Sequence, residues 1–271
     1  MQAESISESF PPVKPVIEPE LSQDYSPDFV AQVQPLIEPF YEKYFRCEVR
    51  SMERIPKSPA FLVANHNAGG IVEIPLFLHA WYRKFGPGRP LLGLAHKAVF
   101  TFPVVKDLMP KIGAIPASPE NARKVLKAGK DLAVFPGGDW EASRPTAERQ
   151  KIDFAGRKGF VRIALETGAP VVPLVIAGAH ETGLILARSA EWAKALGLDI
   201  TDRIKAVPLW AFPPVLPSKV TMECLEPIDL RKELKAFKDE EEKLRRGYDL
   251  VTSRMQEAMD HLYAERKTYW G

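Results

Sequence analysis

The sequence predicts an α/β fold: a single domain with a twisted, mostly parallel sheet flanked by helices, and a long C-terminal helix. Three observations predict it. Apolar runs of strand length recur at 60–64, 91–95, 112–115, 131–135, 171–176 and 219–224. Stretches of helical spacing at 71–84, 98–110, 119–129, 157–167 and 181–196 alternate with them, and strand–helix–strand crossovers make neighbouring strands parallel. The segment 230–267 carries Leu244, Tyr248, Val251, Met255, Met259 and Leu262 on one stripe and charge elsewhere, as one long or broken helix does.

In chain order, residues 1–27 are rich in Pro, Ser and Glu without apolar periodicity. They are expected to form a disordered or loosely packed tail ahead of a domain spanning 28–271. Residues 28–46 place Phe29, Val30, Val33, Leu36, Ile37, Phe40, Tyr41, Tyr44 and Phe45 on a wide helical face, which Pro35 and Pro39 should kink or divide. That face suits packing or contact with a membrane surface. Ser118-Pro119-Glu120 reads as a helix start, with Ser118 as N-cap. Pro173 inside the run 171–176 argues for an edge strand or a bulge.

The 271 residues include 37 basic and 35 acidic ones, so no concentrated positive field exists for nucleic acid. Cys47 and Cys224 lie far apart, which argues against a disulfide framework and for a reducing compartment. No two histidines have close metal-ligand spacing, so no metal is expected. The first fifteen residues lack a signal-peptide pattern, and no run reaches 18 apolar residues. A cytoplasmic protein is expected, soluble or lying on a membrane. No required protein partner is evident. A nucleotide-binding reading fails because no G-x-G-x-x-G or Walker pattern follows a strand.

Three stretches could carry chemistry. The apolar run Phe61–Ala64 stops at Asn65-His66, with Gly69, Gly70 and then Glu73 behind it. Parallel sheets gather functional groups at the carboxyl ends of their strands, where this histidine would sit. The run ending at Phe135-Pro136-Gly137-Gly138 is followed at once by Asp139, Glu141 and Arg144, and consecutive glycines allow close backbone approach to a ligand. Arg157 and Lys158 precede a helical stretch that ends at Thr167-Gly168-Ala169-Pro170, before Val171-Val172-Pro173-Leu174.

In this order, the three stretches resemble the glycerolipid and lysophospholipid acyltransferase superfamily. The matching blocks are Asn65-His66 with a downstream acid, Phe135-Pro136-Gly137-Gly138, and Pro170-Val171-Val172-Pro173-Leu174. Residues 95–118 resemble the family's second block, and the resemblance runs from about residue 40 to 230. It departs from the family at three places. The family's usual acid stands five residues beyond the histidine, where this chain has Ile71; the nearest acid is Glu73, seven beyond. A continuous helix would put seven residues roughly 10 Å apart, so Glu73 meets His66 only if 67–70 loop out. Asp139 and Glu141 are the other acids that could pair with His66. Gly137 and Ala117-Ser118 stand where enzymes acting on phosphate esters often have glutamate and arginine. These changes lean toward the branch resembling monoacylglycerol and diacylglycerol acyltransferases.

The resemblance implies an acyl-CoA-dependent O-acyltransferase of glycerolipid metabolism, peripheral on the inner face of a membrane. Acyl-CoA would be a co-substrate and a lipid alcohol the acceptor, with no cofactor. His66 would be the general base and Glu73 its partner. Asn65, Gly69 and Gly70 would line the site, as would Asp139 and Glu141. Gly137, Gly138 or Lys97 would face the oxyanion, and Arg144, Arg157 and Lys158 the coenzyme A phosphates. Trp81-Tyr82, 100–105 and 209–217 are the candidate membrane contacts. Two rivals are a thioesterase or lipid hydrolase using water, and a non-catalytic protein binding lipid or acyl-CoA.

Overall fold

The computed structural model describes residues 22–271 apart from 97–98, 101–102, 190 and 192–206. Most of the expected tail, 1–21, lies outside these residues, as do Lys97 and all of 192–206. Of the tail's end, Tyr25 donates from its hydroxyl to Pro87 O, and Ser26 caps the first helix by accepting from Phe29 N–H.

Helix α1 (Pro27–Pro39) runs through Pro35 without dividing. The change comes after Pro39, where the chain enters a π turn, Phe40–Tyr44, closed by Phe45 N–H to Phe40 O at 2.8 Å. Then follow β1 (Glu48–Arg50), β2 (Phe61–Ala64), a 3₁₀ turn at Ala68–Gly70 and α2 (Glu73–Phe85). The middle of the chain holds β3 (Leu91–Ala95), α3 (Val105–Leu108), β4 (Ala114–Pro116), α4 (Pro119–Lys127), β5 (Asp131–Val134) and α5 (Gly138–Ala142). Next come α6 (Gly159–Thr167), β6 (Val171–Ala177), β7 (Leu184–Ser189), β8 (Val207–Phe212) and β9 (Thr221–Cys224). The C-terminal segment is broken into α7 (Leu230–Glu233) and α8 (Glu240–Ala264), with Asp239 capping α8.

Seven strands form one sheet in the order β1-β9-β6-β2-β5-β3-β4. The five from β6 to β4 run parallel, and β9 with β1 runs against them. The sheet is therefore mostly parallel, as expected. Its centre is β2, where Phe61 to Ala64 are all buried. Phe61 and Val63 face α4, α6 and α8, while Leu62 and Ala64 face α1 and α2. A strand covered by helices on both faces reads as a continuous apolar run, and this one does.

Several expectations need correction. Among the described residues of 98–110, the α-helix is the short α3 instead of one spanning the segment. Residues 181–189 hold a 3₁₀ turn and β7, which pairs antiparallel with β8, so no helix spans 181–196. Pro173 lies on an interior strand. It is accommodated because β9 ends beside it: Leu225 N–H donates to Pro173 O at 2.9 Å, and proline has no N–H to return. Trp81 and Tyr82 are buried core and touch no membrane.

Candidate active site

The carboxyl ends of β2, β5 and β6 lie side by side, and the loops leaving them meet. Asn65 comes first after β2. Its amide donates to Ile176 O at 2.9 Å and accepts from Ile176 N–H at 2.8 Å. The side chain thus extends the β2–β6 ladder by one peptide-like rung, and it is buried there rather than turned to substrate.

His66 follows. The segment 67–70 loops out into a 3₁₀ turn, and α2 starts at Glu73. Glu73, wholly buried, brings Oε1 to 2.8 Å from His66 Nδ1 and accepts from Asn67 N–H through the same oxygen at 2.8 Å. An ionised carboxylate only accepts, so Nδ1 carries the proton and Nε2 holds the free lone pair. The ring packs on Phe135, with centroids 4.7 Å apart, and keeps 16% of the side chain exposed. Gly70, at φ +73°, lies against it: a Cβ there would come within 2.3 Å of His66 Cε1.

The two other acids weighed as partners take different places. Glu141 accepts from the His66 backbone N–H at 2.8 Å and from Asp153 N–H at 3.1 Å, and it pairs with Arg144 at 3.2 Å. It grips the histidine's main chain and leaves the ring to Glu73. Burial pushes the Glu141 carboxyl above its ordinary range, against the pull of Arg144 and two backbone donors. Asp139 pairs with Arg157 at 2.7 Å.

Of the three cations, Arg144 is the one corrected. Arg144 is buried and donates to Glu141, Lys151 O, His66 O and Asn67 Oδ1. It braces the two loops and does not face a phosphate. Arg157 donates to Gly137 O at 2.6 Å and keeps 29% of its side chain exposed. Lys158 pairs with Glu241 at 3.7 Å on the first turn of α8.

The glycines at 137 and 138 are required for space. A Cβ on Gly137 would meet the Glu141 carboxylate at 2.3 Å, and one on Gly138, at φ +48°, would meet Arg157 at 2.8 Å. Gly138 N–H donates to Phe135 O at 3.0 Å.

His180, which no motif in the sequence singles out, is also part of this assembly. Its Nδ1 accepts from Ala68 N–H at 3.1 Å, and its Nε2–H donates to Arg144 O at 2.9 Å. Burial, reinforced by Arg144, pushes its pKa down to about 3, so it is neutral. The available signal was position: a histidine three residues past the end of the strand adjoining β2. Among the described residues no three His, Cys, Asp or Glu could hold a metal ion, and no helix is long and apolar enough to cross a membrane.

Residues 46–177 match the Acyltransferase family. An uncharacterized protein of Mycobacterium tuberculosis is 34% identical over 190 residues, 68% of this chain and 52% of that one. The "DGAT1/2-independent enzyme synthesizing storage lipids" of Mus musculus is 30% identical over 129 residues, 47% of this chain and 37% of that one. The matches thus cover about half or less of these relatives' length. The crystal structure of the 1-acyl-sn-glycerophosphate (LPA) acyltransferase of Thermotoga maritima shares the fold. Its TM-score is 0.55 at 21% identity, over 89% of this chain and 84% of that one. Residues 46–177 of this chain therefore form a domain of the Acyltransferase family.

Proposed function

We propose that this protein is an acyl-CoA-dependent O-acyltransferase with His66 as general base. The observation that carries the reading is the His66–Glu73 pair, 2.8 Å apart at the carboxyl end of the central strand, with Nε2 left for a substrate proton. An alcohol hydroxyl is too weak an acid to attack unaided near neutral pH. As its oxygen bonds to the thioester carbonyl carbon, its proton passes to Nε2. Glu73 stabilises the imidazolium that forms. The C–S bond then breaks, and the leaving thiolate takes the proton back. The acceptor oxygen is itself the nucleophile, so no acyl-enzyme forms. Gly138 N–H is engaged within its own turn, which makes Gly137 N–H the backbone candidate for the oxyanion. Arg157, the partly exposed cation beside this turn, is assigned to the coenzyme A phosphates.

The acceptor we favour is a neutral glyceride, with a lysophospholipid second. Glu141 occupies the space that a side chain at 137 would need, so the glutamate common there in enzymes acting on phosphate esters has no room. The storage-lipid relative points the same way. Such substrates place the protein at a membrane, peripherally and on its cytoplasmic face. The test is release of free coenzyme A from a long-chain acyl-CoA, without acceptor and with monoacylglycerol, diacylglycerol or lysophosphatidate. Release that needs an acceptor and disappears in His66→Ala supports the reading. Equal release without acceptor makes the protein a thioesterase.

A further inference from the structure

On α1 and the π turn that follows it, Leu36, Phe40 and Tyr44 recur every fourth residue and point outward. Leu36 is 67% exposed and Phe40 53%. Phe40 and Tyr44 meet edge to face, with ring centroids 6.3 Å apart. Tyr44 donates from its hydroxyl to Val215 O, which joins the stripe to the end of β8 and the segment after it, where Phe212 and Val215 are also exposed. Aligned exposed apolar side chains on one face mark a contact surface, unlike apolar residues scattered singly.

Charge says what the surface contacts. Lys43 and Arg46 stand beside the stripe and line an open hollow with Tyr44, Leu216, Pro217 and Trp270. Lys43 has no ion pair among the described residues, and Arg46 donates to a neutral acceptor, Trp270 O, at 2.9 Å. The acids of the same segment are held on its other side: Glu38 lies 2.8 Å from His79, and Glu42 pairs with Arg83. Apolar side chains edged by cations and by interfacial tyrosine and tryptophan match a bilayer bearing anionic headgroups.

The surface connects to the site. Leu216 N–H, next to Val215, donates to Thr182 O at 2.7 Å, and His180 of the same turn accepts from Ala68 N–H, two residues after His66. We propose that the stripe of Leu36, Phe40 and Tyr44, extended by Phe212 and Val215, docks on an anionic lipid bilayer, with Lys43 and Arg46 against the headgroup phosphates. This deepens the acyltransferase reading by naming the surface that brings the site to its lipid, and its test needs no turnover.

The full chain is sedimented with vesicles of phosphatidylcholine, alone or mixed with phosphatidylglycerol. The wild type should bind the mixed vesicles more tightly, and added salt should remove the difference. Lys43→Gln and Arg46→Gln should each weaken binding to mixed vesicles about fivefold. Leu36→Ser with Phe40→Ser should weaken binding to both kinds about tenfold or more, with the thermal midpoint little changed because both side chains are exposed. Release of coenzyme A with a detergent-dispersed acceptor should persist in all these variants. Wild-type protein that ignores both vesicles, or variants that bind like wild type, would overturn the proposal. So would a dimer, seen by sedimentation velocity, that Phe40→Ser dissociates without vesicle binding; the face would then belong to a second copy. Vesicle binding without acyl transfer would keep the docking surface and remove the acyltransferase reading.

Discussion

Glu73 Oε1 touches two groups at once, His66 Nδ1 and the Asn67 N–H, each at 2.8 Å. The second contact decides what a substitution would do. In Glu73→Gln, Asn67 N–H would hold the amide oxygen at the Oε1 position. The NH₂ would then fall where Oε2 sits, buried with no partner. The tautomer of His66 survives but the charge opposite its imidazolium is lost. We expect kcat to fall about 10²-fold and stability by about 1–3 kcal/mol. Glu73→Ala also frees the ring, and its loss should approach about 10⁴-fold. Coenzyme A release rates beside urea midpoints separate the two effects, and an unchanged kcat in Glu73→Ala would refute the pairing.

Gly70→Ala puts a methyl where His66 Cε1 already lies, at 2.3 Å, in a backbone conformation that disfavours alanine. The imidazole must shift by about an ångström, a displacement that costs about 10²-fold in rate. The strain itself costs about 1–2 kcal/mol. A variant that melts slightly early yet keeps its full kcat would show that His66 does not need this position.

Arg144→Met tests whether that cation serves substrate or structure. Removing it leaves the buried Glu141 carboxylate without its charge partner, and the expected cost is about 3–5 kcal/mol by urea unfolding. KM for acyl-CoA should hold in whatever fraction stays folded. A raised KM with unchanged stability would return Arg144 to the coenzyme A phosphates.

Asn65→Leu keeps the branching at Cγ but removes both bonds to the Ile176 backbone. Each buried backbone group left unpaired costs about 1–3 kcal/mol. The loss should appear in the urea midpoint and in faster amide exchange at Ile176, because this rung holds the ends of β2 and β6 together.

His180 predicts an acid-side loss of stability. Its folded pKa is about 3, against 6.5 for the unperturbed group, so between these values the unfolded chain binds a proton that the folded chain refuses. The contribution is complete above about 6.5 and is lost as pH falls toward about 3, at about 1.4 kcal/mol per pH unit. Asp131 and Glu141, whose carboxyls burial raises, act in the opposite sense, so the comparison must isolate the histidine. His180→Gln should narrow the difference between urea midpoints at about pH 7 and about pH 5. An unchanged difference would mean that His180 titrates as if exposed.

How far the site could be read from the sequence varies residue by residue. His66 was legible because Phe61–Ala64 is apolar throughout, and such a run, buried on both faces, ends at the functional edge of a parallel sheet. Glu73 was one of three acids until the turn at 67–70 brought it back to the ring. Arg144 and Glu141 look in sequence like solvent-facing charge, and their burial depends on a loop from 75 residues away. β7 carries apolar residues at a spacing that also fits a helix, and its pairing with β8 overrode that pattern. β1 is three residues long and pairs with β9 far along the chain, so no local signal marks it.

The sequence by itself determined the strand–helix alternation, the two glycine turns, the histidine at the end of the central strand and the family. Each of these depends on residue type and short-range spacing. Only the tertiary structure decided which acid meets the imidazole, which cations are buried as braces, and which apolar side chains stay outside. Those outcomes depend on distances between segments remote in the chain, and sequence spacing does not determine them.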